Sequence, residues 1–376
     1  MDTIELLQSL TNAFGVAGFE DEVREVIRKM IESYVDEVRT DTLGNLIATR
    51  SPAKAGYKLM LDAHMDEIGL MVSFVEENGF LRFTPIGGWD PRILPAHTVT
   101  VLTRKGEKRK GVIGSIPPHL TKPEDREKPF RIEDLFIDVG ASSKEEAREM
   151  GIEIGDPAVP FYPFEVLNSP VSQSPKRGKN PPVSPFHKGG QCVMGKALDD
   201  RAGCAVLVKT LQELKPSDGR GVTLILNFAT GEEIGGRGAR TAAYQIEPDL
   251  AIALEGTIGA DIPGIPPQKQ PVGLGKGPAI TIADQSLVVN RKLVNALETL
   301  AKRLKIPYQF KLPSFGGTDA GVIHTTKGGV LSGVISVPCR YIHSPMGILR
   351  LDDFENTVKL TKAVVQNSRT LIPNTL

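Results

Sequence analysis

Disulfides, membrane spans and any excess of one charge are all missing from this chain, and each absence removes a class of function. Its 376 residues contain only 3 cysteines. Cys192, Cys204 and Cys339 cannot all pair and have no CxxC spacing, which argues against a disulfide framework and fits a reducing compartment. No apolar run approaches the roughly 20 residues needed to cross a bilayer. The start, Met1-Asp2-Thr3-Ile4-Glu5, carries acids where a secretory signal carries bases. Lys and Arg total 45 and Asp and Glu total 45, so no net field draws the chain to nucleic acid or to an anionic membrane. Neither is expected as a partner, and the expected location is cytoplasmic. What is present is ordinary globular material. At 40% hydrophobic and 24% charged residues the chain is not largely disordered, and its length suits two domains.

The texture along the chain predicts an α/β protein. Ile4, Leu6, Leu7, Leu10 and Phe14 recur at helical spacing, as do Val23, Val26, Ile27, Met30, Ile31 and Val35, with Asp21 as a candidate N-cap. Short strands are expected at 43–49 and 57–63, the second apolar enough to be buried on both faces of a sheet. From about residue 70 to 163 the pattern is β-rich, with alternation in 98–103, frequent Gly and Pro, and a short helix over 143–150. This stretch reads as a small β-rich domain, 70–163, inserted into a larger domain made of 1–69 and 164–376. Residues 168–190 are rich in Pro, Ser, Gly and Lys, and read as a flexible insertion rather than a structured lid. After it come a helix over 201–214, buried strands over 222–229 and 250–254, a helix over 290–304, a strand over 329–335 and a terminal helix over 352–372. Alternating strands and helices predict a mixed β-sheet sandwiched by helices.

Six short polar segments end or follow the apolar runs: His64-Met65-Asp66, Asp199-Asp200, Glu232-Glu233, Glu255, the loop 316–319, and His343. In open α/β sheets functional groups gather at the carboxyl ends of strands. Imidazoles and carboxylates in this number exceed what a single catalytic zinc requires, and the surplus points to two metals and hydrolysis by a metal-activated water. The spacing His64-x-Asp66 lets the aspartate steady the imidazole. Asp199 and Asp200 stand just before a helix, where capping explains them as well as metal binding does, and the two roles are compatible. Glu232 and Glu233 lie in the glycine-rich turn 229–236, where one carboxylate can bind metal and the other move a proton; a solvated acidic turn is the plain alternative. His97, His119, His187 and His324 have no comparable acidic neighbours.

The ordered set 63–69 (Ala63-His-Met-Asp-Glu-Ile-Gly69), 196–203 (Lys196-Ala-Leu-Asp-Asp-Arg-Ala-Gly203), 229–235 (Ala229-Thr-Gly-Glu-Glu-Ile-Gly235) and 342–345 (Ile342-His-Ser-Pro345) resembles the M42 family of metal-dependent aminopeptidases. The resemblance covers essentially the whole chain apart from the Pro-rich segment. It implies a zinc-peptidase-like catalytic domain with an inserted domain used for dimerisation and assembly. It also implies a ligand set for two divalent cations, zinc or cobalt: His64 and Glu255 on one, Glu233 and His343 on the other, Asp199 bridging. Asp66 would orient His64, and Glu232 would be the general base and acid. Relatives often carry aspartate where this chain has Glu255, which keeps the carboxylate and lengthens its reach. A cis peptide between Asp199 and Asp200 is expected on the same ground. Gly317, Thr318 and Asp319 are expected to contact substrate. The implied activity is removal of N-terminal residues from short peptides by a homo-oligomer built from dimers, up to a dodecamer. A metal-dependent deacylase is the chemically nearest alternative. A polysaccharide hydrolase of endoglucanase type fits less well, because adjacent carboxylates in one turn cannot flank a glycosidic bond from opposite sides. A non-catalytic assembly protein would be expected to have lost a ligand or the base.

Overall fold

The computed structural model describes residues 1–50, 56–120, 128–167, 190–311 and 316–371. The Pro-rich segment expected at 168–190 lies, apart from Gly190, outside the described residues. Helices α1 (Thr3–Asn12) and α2 (Asp21–Ile31) precede strands β1 (Glu37–Thr40), β2 (Leu46–Arg50) and β3 (Tyr57–His64). Next come β4 (Gly69–Val75), β5 (Leu81–Ile86), β6 (Thr98–Leu102), β7 (Lys108–Gly114), β8 (Phe136–Asp138), helix α3 (Lys144–Glu149) and β9 (Pro157–Pro160). The remainder runs β10 (Glu165–Val166), β11 (Cys192–Gly195), α4 (Leu198–Glu213), β12 (Val222–Ala229), α5 (Arg237–Ile246), β13 (Leu250–Ile258), β14 (Ala279–Thr281) and α6 (Arg291–Arg303). It ends with β15 (Gln309–Lys311), α7 (Ala320–Ile323), β16 (Leu331–Arg340), β17 (Gly347–Arg350) and α8 (Leu351–Leu371).

Two β-structures result. One is a mixed sheet of order β1-β2-β12-β3-β13-β16-β17-β11-β10, with β14 and β15 attached at β16. Its centre, β12-β3-β13-β16, is parallel, and apolar side chains on both faces of these strands explain why helices must cover both. One face packs against α1, α2, α4, α6 and α8 through Leu6, Leu10, Ile27, Val206, Leu297 and Val364, among others. The opposite face packs Ile47, Met60, Ile225 and Ala251 against Ala239, Ala242 and Ala243 of α5 and Ile323 of α7. The other β-structure is a closed barrel, β4-β5-β8-β7-β6-β9, which buries Leu70, Val72, Leu81, Val99, Val101 and Ile137 in a core of its own. An α/β class with a helix-covered mixed sheet and a small β-barrel is therefore what the chain adopts.

The differences from the sequence reading are local. Asp21 is the first residue of α2 rather than its cap: Glu20 occupies that position, and no side chain caps the helix. Asp21 still complements the positive end of the helix from its first turn. Strand β16 begins two residues later than expected, at Leu331, and continues to Arg340, because it pairs with β13 along its whole length as far as Cys339. Strand β13 likewise runs past Leu254, so Glu255 lies within a strand and not at its end.

A fully buried Arg201 joins the first loop of the chain to the end of β3. Its Nε donates to the Met65 carbonyl (2.7 Å), Nη1 to the carbonyls of Leu10 (2.7 Å) and Ala13 (3.2 Å), and Nη2 to that of Gly15 (3.2 Å). Its charge meets Glu67, which also takes the buried Lys196. A side chain on Gly15 would come within 2.7 Å of the guanidinium, so that position has room only for glycine. Replacing a buried cation strands its acceptors and its counter-ion, at a cost of about 3–5 kcal/mol. Arg201→Met should lower the urea unfolding free energy by an amount in that range; a change within experimental error would show that the guanidinium does not hold this junction.

Candidate metal centre

The four parallel central strands all run in one direction, so their carboxyl ends lie along one edge of the sheet. His64 is the last residue of β3. Glu232 and Glu233 follow β12 in a turn where Gly231, Gly235 and Gly236 take φ of 63°, 110° and 62°, conformations that glycine adopts without strain. Glu255 reaches the site because β13 pairs with β3 only as far as Ala253 opposite Asp62. Two residues beyond that point, the carboxylate of Glu255 lies 3.7 Å from His64 Nε2. Asp199 comes from the irregular start of α4, where φ/ψ are −89°/107° at Asp199 and −122°/41° at Asp200, and the peptide between them is cis. His343 sits in the turn after β16, in left-handed backbone of φ 54°.

These side chains converge. The Nε2 atom of His64 lies 3.4 Å from Asp199 Oδ1, 3.7 Å from Glu255 Oε2 and 3.8 Å from Glu232 Oε2. The Nε2 atom of His343 lies 3.7 Å from Asp199 Oδ2 and 3.5 Å from Glu233 Oε2. The two oxygens of Asp199 thus face different imidazoles. Donor atoms of His64, Asp199 and Glu255, and those of Asp199, Glu233 and His343, each lie within 4.8 Å of one another. Two donor sets with one carboxylate in common fit a pair of divalent cations, and the set of imidazoles and carboxylates suits zinc or a neighbouring first-row metal.

The groups around the donors have separate tasks. Asp200 points away from the cluster: Oδ1 accepts from the Gly203 amide (2.9 Å), capping the regular helix, and Oδ2 from the His64 amide (3.2 Å). His64 Nδ1 meets the carbonyl of Asp66 at 3.0 Å and its carboxylate at 3.5 Å, so the backbone oxygen is the nearer partner. The carboxylate of Asp66 instead accepts from the amides of Glu232 (2.9 Å) and Glu233 (3.0 Å). One aspartate therefore steadies both the imidazole and the turn bearing two of the carboxylates. In the loop 316–319, Gly317 is exposed, while Thr318 and Asp319 are buried. The Asp319 amide donates to Glu255 Oε1 at 3.2 Å, and its fully buried carboxyl lies near Asp62, which is held by Asn227 (2.6 Å). His343 Nδ1 meets the Gly88 carbonyl, which comes from the barrel, at 3.0 Å. Sequence reasoning did not find that contact, since a backbone oxygen leaves no mark beyond the Gly87-Gly88 pair itself. Beside the cluster is a narrow recess of about 20 Å³ whose wall includes Ile68, Pro160, Leu198, Glu233, Tyr341 and Ile342.

Crowding and burial set the electrostatics. Burial raises the pKa of Glu232 to about 7, the nearby His64 lowering it and Asp199 raising it further. Burial, with Asp199 adding to it, drives Glu233 well above the usual carboxylate range; burial and Asp200 do the same to Glu255. Burial opposes charge on His64, but Asp199 and Asp66 outweigh it and raise its pKa well above the ordinary value. Burial would raise Asp66 too, yet His64 and the two amides bring it below the ordinary value. A cluster that holds protons this tightly is one that cations can displace them from.

The chain is similar to known proteins along almost its whole length. A family model described as M42 glutamyl aminopeptidase matches residues 44–175 and 182–360. A lysyl aminopeptidase of Pyrococcus furiosus is 33% identical over 96% of this chain and 96% of its own length. The solved structure of an aminopeptidase from the archaeon Desulfurococcus kamchatkensis is 39% identical, with a TM-score of 0.87 and coverage of 97% of this chain and 94% of that one. The Pyrococcus horikoshii TET1 peptidase, described as assembling into a tetrahedron or a large octahedral shell, is 33% identical, with a TM-score of 0.81 and coverage of 97% and 99%.

The raised carboxylates set the pH dependence of the metal-free protein. Glu232 binds a proton more tightly when folded (about 7) than at its ordinary 4.5. Between those values the native state holds more protons than the unfolded one, so stability falls as pH rises. Glu233, Glu255 and His64, all raised, act in the same direction, whereas the lowered Asp66 matters only in acid. The Tm of chelator-treated protein should fall from pH 5 to pH 8, and a divalent cation should flatten that slope. A metal-free Tm that is level or rising over this range would contradict the charge arrangement.

Proposed function

The chain belongs to the M42 glutamyl aminopeptidase family and is a peptidase; on that premise we propose that it removes N-terminal residues from short peptides with two divalent cations per chain. The observation that carries this reading is Asp199, whose two oxygens face two different imidazoles. His64 and Glu255 would hold one cation and Glu233 and His343 the other, with Asp199 shared. When bound, the cations supply Lewis acidity, acidifying water and polarising the scissile carbonyl.

The chain's own residues do the rest. Glu232 is the general base: it stands outside the two donor sets that share Asp199, although its carboxylate also groups with His64 and Glu233, and burial keeps its proton affinity near neutrality. It takes a proton from the attacking water and returns it to the departing amine. Asp66 keeps the 232–233 turn and His64 in register. The substrate's free amino group is positively charged and is drawn to the acidic groups Glu255 and Glu232. Gly317, Thr318 and Asp319 form the rim beside Glu255, Gly317 offering backbone to the peptide and Asp319 holding Glu255 through its amide.

A panel of aminoacyl-p-nitroanilides, assayed before and after chelation and metal restoration, tests the activity. Cleavage should vanish on chelation and return with zinc or cobalt. Glu232→Gln should lose about 10²–10⁴-fold in kcat while still binding two cations per chain by elemental analysis. Cleavage that survives either treatment would defeat the mechanism. Hydrolysis of N-acyl amino acids in preference to free N-termini would support a deacylase instead.

The barrel, residues 70–163, is assigned to assembly, with 1–69 and 164–376 carrying catalysis. The support is its exposed apolar side chains, Phe74, Val112, Ile116, Leu120 and Phe130, together with the shells described for the Pyrococcus horikoshii relative. Dimers through this surface, gathered up to a dodecamer, would admit only short peptides to enclosed sites. Native mass spectrometry should find a particle many times the 40.7 kDa chain; a stable monomer would reject assembly.

A further inference from the structure

Of the two imidazoles at the site, only one is supported by the sheet that carries the donors. His64 is almost fully buried, and Asp66, two residues away, steadies its ring. His343 is different. Its side chain is 42% exposed and hangs from a turn in which Tyr341 and His343 both take left-handed φ, 62° and 54°. Among the described residues its one hydrogen bond is from Nδ1 to the carbonyl of Gly88 (3.0 Å). That oxygen belongs to the loop Gly87-Gly88-Trp89, which follows β5 of the barrel.

The loop is shaped for this contact. Gly87 has φ 78°, and a Cβ there would come within 2.6 Å of Ile68 Cγ2 and 3.3 Å of the Glu233 Cβ. A Cβ on Gly88 would stand 3.2 Å from His343 Nδ1. Trp89 fixes the loop from its other side: its ring packs against the barrel core, and its Nε1–H donates to the Gly69 carbonyl (2.9 Å) where β4 begins. We propose that Gly88 and Trp89 are positioning residues for His343, holding the tautomer with a proton on Nδ1 and turning Nε2 toward Asp199 and Glu233. The barrel thereby completes one half of the centre, through a backbone oxygen. This rests on the two-cation reading, with His343 in the second donor set.

The test is cobalt(II) titration of the chelator-treated full-length protein, with affinity read by competition against a chromophoric chelator. The wild type should take up two cations, and His343→Ala should abolish one of the two steps. Trp89→Phe keeps the ring and removes the donor; Gly88→Ala places a methyl against the imidazole. Each should leave the other step unchanged and weaken the step lost in His343→Ala by about 10–100-fold, as loss of an outer hydrogen bond to a ligand does. The metal-free Tm of Trp89→Phe should stay near wild type, which separates positioning from general destabilisation. Two unchanged steps, or both weakened alike, would overturn the inference. A wild type that takes up no cobalt would instead overturn the two-cation reading itself.

Discussion

Four carboxylates, Asp199, Glu232, Glu233 and Glu255, crowd into one place at the end of the sheet's parallel centre, and among the described residues their ion-pairing contacts are with His64 and His343 alone. Burial of like charges is costly unless cations or protons answer it. The fold is arranged around that concentration of negative charge. Without cations the site is compensated by protons, as the raised carboxylates and the raised His64 show. On the proposed function, cations would make it a Lewis-acid centre and leave Glu232 as the carboxyl that takes up and releases a proton.

Holding such a cluster in place requires rigid surroundings, and most of the nearby polar groups serve that end. Asp200 turns from the cluster to hold the start of α4 and the His64 amide together. Asp66 holds two consecutive amides of the glutamate turn. Asp319 holds Glu255. Further out, Arg201 gathers carbonyls from Leu10, Ala13, Gly15 and Met65, so the end of β3 is braced against the first helix and loop of the chain. Apart from the bond between Asp200 and Gly203, these contacts join segments far apart in sequence. Pairing of β13 with β3 ends at Ala253, two residues before Glu255.

The barrel is more than a separate unit joined to the sheet. Its loop 87–89 touches His343 and packs against Glu233, so the second donor set is bounded by residues from both β-structures. If cations occupy these donor sets as proposed, the placement of the barrel is coupled to the chemistry. The same barrel carries the exposed apolar side chains suited to assembly. Contacts between subunits through it would act close to the ring that Gly88 holds.

By itself the sequence determined the class of fold and nominated the candidate residues of the site. Helical and two-residue periodicities marked most elements within a few residues; polar segments near apolar runs nominated His64, Asp199-Asp200, Glu232-Glu233, Glu255 and His343, and the family resemblance gave them separate roles. These signals are local, because periodicity and strand-end chemistry are properties of short segments. The tertiary structure decided which of two adjacent acids faced the cluster, Asp199 or Asp200, since a peptide's conformation at a helix start depends on what packs against it. It decided that Glu255 lies inside β13, since strand length follows from pairing with β16. It decided that Asp66 binds the glutamate turn more closely than its own neighbour, and that His343 rests on a carbonyl from the barrel. Backbone oxygens and amides are the same in every residue, so only the fold can say which of them arrives beside a given side chain.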